Sequence, residues 1–211
     1  MIRRATIALC LVTLAWTVVA AAEDTGLQRL AGAYPRQFSA AENANVLLWK
    51  DGTETVYDDG VARSFNEKLK QASPKDQMSL PYPPGWPIQE PGVDEDPGRI
   101  RCDALFRKMY GSSAEEVKAA LVDVAWPAAG ASAKVRFTSA NDAARALQQV
   151  AKEVNALPDD VKRCVAKPIG TFNWRNIAGE NRLSPHSFGI AIDFQLPAPL
   201  YRYWFWDAKG A

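Results

Sequence analysis

The only histidine of the 211-residue chain, His186, lies seven positions before an aspartate, Asp193, that is embedded in an apolar run. A carboxylate without a partner is costly in apolar surroundings, so Asp193 is expected to have one. A metal ion is among the best partners for a carboxylate, and histidine is a common zinc ligand. The alternative is a histidine that only packs in the core or on the surface. The pair therefore predicts a metal site, with an ordinary structural histidine as the competing interpretation.

The apolar run that contains Asp193 alternates bulky residues with small or polar ones from 188 to 196, which predicts a strand. Asp193 is expected on the open face, where Gly189 leaves space. A straight strand rises about 3.3 Å per residue, so an extended chain would hold His186 and Asp193 roughly 23 Å apart. Two ligands of one zinc ion each lie about 2 Å from it, so the chain must turn between them. Pro185 and Gly189 are best suited to that turn.

The motif Ser184-x-His186-x-x-Gly189-x-Ala191-x-Asp193 resembles the S-x-H-x-x-G-x-A-x-D signature of zinc peptidoglycan peptidases. This family comprises D-alanyl-D-alanine carboxypeptidases and dipeptidases, including vancomycin-resistance enzymes, and L-alanyl-D-glutamate endopeptidases. The upstream sequences GTFNWR at 170–175 and NRL at 181–183 also resemble the endopeptidase-like branch. The resemblance covers roughly residues 97 to 206.

The resemblance implies roles for three residues. His186 and Asp193 would bind zinc, and Arg175 would bind substrate and stabilise the oxyanion that develops on the carbonyl. Zinc-activated water would attack an amide carbonyl in the peptide stem of peptidoglycan, in either a carboxypeptidase or an endopeptidase reaction. The implied fold is α+β: a small, largely antiparallel sheet with packed helices, in which the strand after Gly189 carries Asp193.

The chain departs from the family pattern near its C-terminus. Family members have a third zinc ligand, a histidine, just after a catalytic carboxylate, whereas this chain has no second histidine and ends at Ala211. Catalytic zinc usually has three protein ligands and a water. We therefore expect a chain that lacks the C-terminal part of the domain, with weak zinc binding and little turnover. The alternative is a non-catalytic cell-wall-binding module that retains the substrate groove.

Residues 1–22 have the pattern of a signal peptide, with Arg3 and Arg4 before an apolar core and a small-residue site at 20–22. The apolar core is shorter than the roughly 20 residues of a membrane span. We expect export to the periplasm or the extracellular cell wall, without a stable membrane anchor after cleavage. The 25 basic and 24 acidic residues nearly balance, which disfavours nucleic acid as a partner.

Two cysteines, Cys102 and Cys164, remain after the signal peptide is removed. In an oxidising compartment such a pair predicts one disulfide, and two separate buried thiols are the alternative. A role as metal ligands is disfavoured because the two cysteines do not occur in a closely spaced pair.

The elements around the motif suggest an N-terminal region over 23–96 and a peptidase-like domain over 97–211. The first contains a hairpin over 46–57, with Asp51-Gly52 as a tight turn, and a proline-rich crossing segment. The second begins with a helix over 102–110 that Gly111 ends.

Three further elements are predicted after Gly111. A helix capped by Ser112 or Ser113 has the apolar stripe Val117, Leu121 and Val124. Residues 134–138 alternate like a strand. A third helix follows, with the stripe Ala143, Leu147, Val150 and Val154.

Overall fold

The structure is a computed structural model that describes residues 25–39, 45–80, 98–130 and 132–197. The predicted signal peptide, most of the proline-rich segment and residues 198–211 lie outside the described residues.

The described residues combine helices with small antiparallel sheets, which confirms the α+β class. The helices are α1 Thr25–Ala33, α2 Phe65–Lys70, α3 Pro74–Met78, α4 Asp103–Tyr110, α5 Ala114–Ala119, α6 Ala143–Asn155 and α7 Asp159–Lys162. Short 3-10 turns occur at Pro127–Ala129, Ala140–Asp142 and Pro185–Phe188.

The strands form three separate antiparallel pairs in the described part of the chain. β1 Val46–Leu48 pairs with β2 Glu54–Val56, β3 Leu121–Ala125 with β4 Lys134–Thr138, and β5 Pro168–Gly170 with β6 Asp193–Phe194. The predicted small antiparallel sheet is therefore divided into three two-stranded ones.

The predicted N-terminal hairpin is present, but its connection is longer than a tight two-residue turn. Leu48 pairs with Glu54, so residues 49–53 form the loop. Trp49 is only 3% exposed, forms an isolated bridge with Phe38, and donates its N–H to the Thr53 carbonyl at 2.9 Å.

Two apolar clusters form the core. The first joins the N-terminal region to α4 and consists of Leu27, Leu30, Phe38, Leu47, Trp49, Tyr57, Cys102, Leu105 and Met109. The second lies between α6 and the β3–β4 pair and consists of Val124, Trp126, Val135, Phe137, Ala144, Leu147 and Ala151. Ile190, Ile192 and Phe194 pack against the second cluster, so the segment that carries Asp193 lies on the α6 side of the molecule.

The prediction for α4 is confirmed, and that for α5 is confirmed only at its start. Gly111 ends α4 with φ of 129°, and the hydroxyl of Ser113 caps α5 by accepting from the Glu116 N–H at 3.2 Å. α5 ends at Ala119, and the predicted continuation of its stripe is wrong because residues 121–125 form β3. Val124 pairs with Val135 of β4, and β-branched side chains suit that pleated surface.

β4 and α6 confirm the corresponding predictions. α6 buries Ala144, Leu147 and Ala151, but Val150, assigned to its apolar stripe, is 45% exposed. No helix of the described ranges is both long and apolar enough to cross a membrane.

Candidate metal centre

The chain turns between His186 and Asp193 through the 3-10 turn Pro185–Phe188. The hydroxyl of Ser184 accepts from the His186 N–H at 3.4 Å, and Gly189 ends the turn with φ of 65°. The predicted reversal near Pro185 and Gly189 is therefore confirmed. The predicted strand over 188–196 is wrong, because only Asp193–Phe194 pairs as a strand.

Gly189 does not lie on an open face, as the alternation pattern had predicted. A Cβ at this position would lie 2.5 Å from Leu121 Cδ2, which is closer than side chains approach. The Gly189 carbonyl also accepts from the Thr138 N–H at 3.0 Å. The left-handed backbone favours glycine here, and the end of the Leu121 side chain of β3 lies close to the position of a Cβ.

Phe188 fixes the turn against α4. Its side chain is 1% exposed, and its ring centroid lies 5.7 Å from that of Phe106 and 6.3 Å from that of Tyr110. Burial of an aromatic ring is among the largest single contributions to a core. Phe188 therefore anchors the turn that carries His186.

Asp193 is positioned by β6 and by the second core cluster. It pairs with Gly170 of β5, and the Gln195 N–H donates to the Lys167 carbonyl at 2.8 Å. The ring of Phe194 lies 5.4 Å from that of Trp126, which points Phe194 inward and leaves Asp193 on the opposite side of the strand.

These elements bring His186 Nε2 to 3.2 Å from Asp193 Oδ2. The imidazole side chain is 13% exposed and the carboxylate side chain 60% exposed, so the pair opens to solvent on the Asp193 side. In tetrahedral zinc sites, ligand distances of about 2.0–2.2 Å place two ligand atoms about 3.3–3.6 Å apart. The observed separation of 3.2 Å is close to the short end of that range, and it is also the distance of a direct contact between the two side chains.

The described residues provide no complete metal site. No group of three histidine, cysteine, aspartate or glutamate side chains gathers within ranges 25–39, 45–80, 98–130 and 132–197. Within those ranges, the pair could supply at most two of the three protein ligands of a typical catalytic zinc.

Cys102 and Cys164 are free thiols, so the predicted disulfide is wrong. Cys102 belongs to the first core cluster, where burial raises the pKa of its thiol. Cys164 follows α7 and is partly buried, with its Sγ 3.9 Å from the Asp160 carbonyl. The two residues pack in different surroundings, which corresponds to the alternative of separate thiols.

The backbone of Arg175 lies directly beside the histidine turn. Its N–H donates to Ser187 Oγ at 2.9 Å, and its carbonyl accepts from the Ser184 N–H at 2.9 Å. The residue is exposed, and its Nη1 donates to the Asn176 carbonyl at 3.1 Å. The main chain of Arg175 is thus hydrogen-bonded to the turn, whereas its guanidinium donates to the neighbouring Asn176 carbonyl.

Ser187 is a positioning residue that the sequence did not reveal. It is fully buried, and its hydroxyl lies within hydrogen-bond distance of the Asn173 carbonyl at 3.2 Å and the Arg175 carbonyl at 2.9 Å. Ser184 is also buried and caps the turn. Both hydroxyls are engaged with the backbone. In the sequence, only the spacing Ser184-Pro185-His186-Ser187 could have indicated this role of Ser187.

A separate cleft of about 470 Å³ is lined by residues such as Trp49, Asp51 and Lys108, none of which belongs to the histidine–aspartate pair. Lys108 Nζ lies 2.8 Å from Asp51 Oδ2 and 5.0 Å from the centroid of the Trp49 ring. Lys108 and Asp51 therefore form an ion pair at this cleft, and the Trp49 ring beside them is almost fully buried.

No family model, curated protein or solved structure matches the chain. Function is therefore inferred from the motif and from the geometry of His186 and Asp193.

Proposed function

We propose that the protein is an exported zinc metallopeptidase that cleaves the peptide stems of peptidoglycan, as a carboxypeptidase or an endopeptidase. The observation that carries this proposal is the approach of His186 Nε2 to 3.2 Å from Asp193 Oδ2, a separation suited to two ligands of one zinc ion. The motif supports it, since the same two residues are those that the family resemblance assigns to zinc.

His186 and Asp193 would hold the metal, which when bound acidifies a water molecule and polarises the scissile carbonyl. The backbone of His186 is held in the turn, because its N–H donates to the Ser184 hydroxyl and Phe188, two residues later, is buried in the core. Exposure of Asp193 leaves the substrate an approach from the solvent side.

Arg175 would stabilise the negative charge that develops on the substrate carbonyl oxygen. Hydrogen bonds to Ser184 and Ser187 hold its backbone beside the turn, so the Cα from which the side chain extends has a fixed position. The guanidinium has to exchange its contact with the Asn176 carbonyl for the substrate oxygen.

A cell-wall-binding module without catalysis is the second candidate. One observation favours it: within the described part of the chain, the pair has no third protein ligand. A two-ligand site binds zinc more weakly than the three-ligand site of a catalytic zinc.

Digestion of purified peptidoglycan distinguishes the two candidates. The protein is incubated with peptidoglycan and zinc, and the released muropeptides and amino acids are separated and identified. The peptidase proposal expects cleaved stems, and expects a chelator to abolish the cleavage. Peptidoglycan that is bound and sedimented with the protein, yet stays intact with zinc present, would instead support the binding module.

A further inference from the structure

Arg101 is a partly buried arginine in the short segment that enters α4. Both of its sequence neighbours are buried, Ile100 at 1% exposure and Cys102 at 7%. The Cys102 N–H also donates to Gln77 Oε1 at 2.8 Å. The backbone of Arg101 is thus held between two core residues, which restricts the volume that its guanidinium can occupy.

The positive charge of Arg101 is not balanced by a direct partner. Across the described ranges, its side chain makes one hydrogen bond, from Nη1 to the Gly98 carbonyl at 3.3 Å, and no ion pair. Burial is the main cause that lowers the pKa of the Arg101 guanidinium, and the positive charge of Arg182 lowers that pKa further. Asp103 and Glu180 oppose this shift, but each already pairs with another arginine.

The other partly buried arginines among the described residues all pair with a carboxylate. The pairs are Arg63 with Asp76 at 2.9 Å, Arg107 with Asp103 at 3.1 Å, and Arg182 with Glu180 at 2.6 Å. A charge that is removed from water without a partner is costly. Arg101 is therefore the one partly buried guanidinium of this set that still lacks an anion.

Arg101 lies beside the loop that joins Arg175 to His186. The loop is closed by the bridge between Asn176 and Leu183. From within it, Arg182 Nη1 donates to the carbonyl of Arg99 at 3.1 Å, which ties the loop to the segment that carries Arg101. An anion bound by Arg101 would thus lie against the loop that connects the proposed substrate-binding arginine to the proposed zinc ligand.

We propose that Arg101 binds a carboxylate of the ligand, and, resting on the proposed function, that this is a carboxylate of the peptidoglycan stem peptide. The planar guanidinium presents a fork of N–H donors that matches a carboxylate. Arg182 is already bound to Glu180, so Arg101 is the arginine of this pair that remains available to the ligand. The contact would fix the charged part of the peptide while Arg175 faces the scissile carbonyl.

The test is a calorimetric titration of the full chain with N-acetyl-L-lysyl-D-alanyl-D-alanine and with its C-terminal amide. Loss of a charge-assisted bidentate contact predicts about 10- to 100-fold weaker binding of the acid by Arg101→Gln. Arg163→Gln, which removes the same charge from an exposed position, is the control and is expected to bind like the wild type. Arg101→Lys keeps the charge without the fork and should lose an intermediate amount of affinity.

Three results would overturn the role of Arg101: equal affinities of Arg101→Gln and Arg163→Gln for the acid, equal affinities of the wild type for acid and amide, or no binding of either peptide. Peptidoglycan turnover is measured separately. Weakened carboxylate binding in Arg101→Gln, without any turnover by the wild type, would retain the carboxylate site and reject the peptidase function. Turnover by the wild type, with unchanged peptide affinity in Arg101→Gln, would retain the peptidase function and reject the carboxylate site.

Discussion

His186 Nε2 lies 3.2 Å from Asp193 Oδ2, although the two residues are seven positions apart in the chain. An extended segment of that length would separate them by roughly 23 Å. The 3-10 turn Pro185–Phe188 and the left-handed backbone of Gly189 account for the difference. The pair therefore depends on the packing that holds this turn, rather than on a continuous strand.

Gly189→Ala is expected to destabilise the protein more than Gly179→Ala. Both positions have a left-handed backbone, which costs a residue with a Cβ about 1–2 kcal/mol. Only at Gly189 would the new methyl group also meet Leu121, whereas nothing lies within 4 Å at Gly179. The free energy of unfolding, measured with urea, checks the difference. Equal losses in the two variants would show that the contact with Leu121 is unimportant.

Phe188→Ala is expected to lower the free energy of unfolding by about 3–5 kcal/mol, the usual range for a buried phenylalanine. Its ring is 1% exposed and packs against Phe106 and Tyr110. Ile169→Ala is the control, because Ile169 is 66% exposed and should change stability by less than about 0.5 kcal/mol. A loss at Phe188 no larger than that at Ile169 would contradict its role as the anchor of the turn.

Local signals in the sequence predicted the elements whose formation depends on nearby residues. α4, β4 and α6 follow from periodicity, caps and breakers within each segment, and the turn at Gly189 follows from the need to reverse the chain. These features are specified over short distances, which is why one sequence was sufficient to predict them.

The elements that were predicted wrongly depend on distant partners. Leu121–Ala125 continues a helical stripe in the sequence but forms a strand because β4 is available to pair with it. Gly189 is small because Leu121 approaches it, not because a face is open. The predicted disulfide is wrong for the same reason, since the cysteine count does not indicate where the fold places each thiol.

Arg175→Gln is expected to lower the rate of stem-peptide cleavage by about 10²- to 10³-fold, as the loss of an oxyanion-stabilising donor does in other enzymes. Zinc affinity should be unchanged, because the Arg175 side chain hydrogen-bonds to the Asn176 carbonyl and not to the proposed ligands. The measurement is residual turnover of zinc-loaded protein, with Arg163→Gln as the charge-matched control. An unchanged rate would remove Arg175 from the mechanism.

Stability is expected to fall between about pH 4 and pH 2 in part through Asp59. The hydrogen bond from Arg63 holds the pKa of the Asp59 carboxyl at about 2, below the value near 3.9 of an unfolded chain. A lowered native pKa stabilises the folded state above the unfolded value, and that stabilisation is lost as the pH falls through the native value. Arg63→Gln should therefore flatten the pH dependence of unfolding in this range.

The flattening is measured by urea unfolding at several pH values, with Arg163→Gln as the control variant. Arg63 also pairs with Asp76, so the slope against pH, rather than the absolute stability, is the informative quantity. A slope in Arg63→Gln as steep as that of the wild type would show that the Arg63–Asp59 contact does not set the pKa.

The most direct test of the zinc proposal is a titration of metal-free protein with Zn²⁺ in competition with a chromophoric chelator. One zinc per chain is expected. Zinc affinity should fall more than about 100-fold in both His186→Ala and Asp193→Ala, because the loss of an outer-shell partner alone costs about 10- to 100-fold. Asp160→Asn, which alters an exposed carboxylate elsewhere, should bind zinc like the wild type. Equal zinc affinity in the wild type and in both ligand variants would contradict the assignment of His186 and Asp193 to one metal ion.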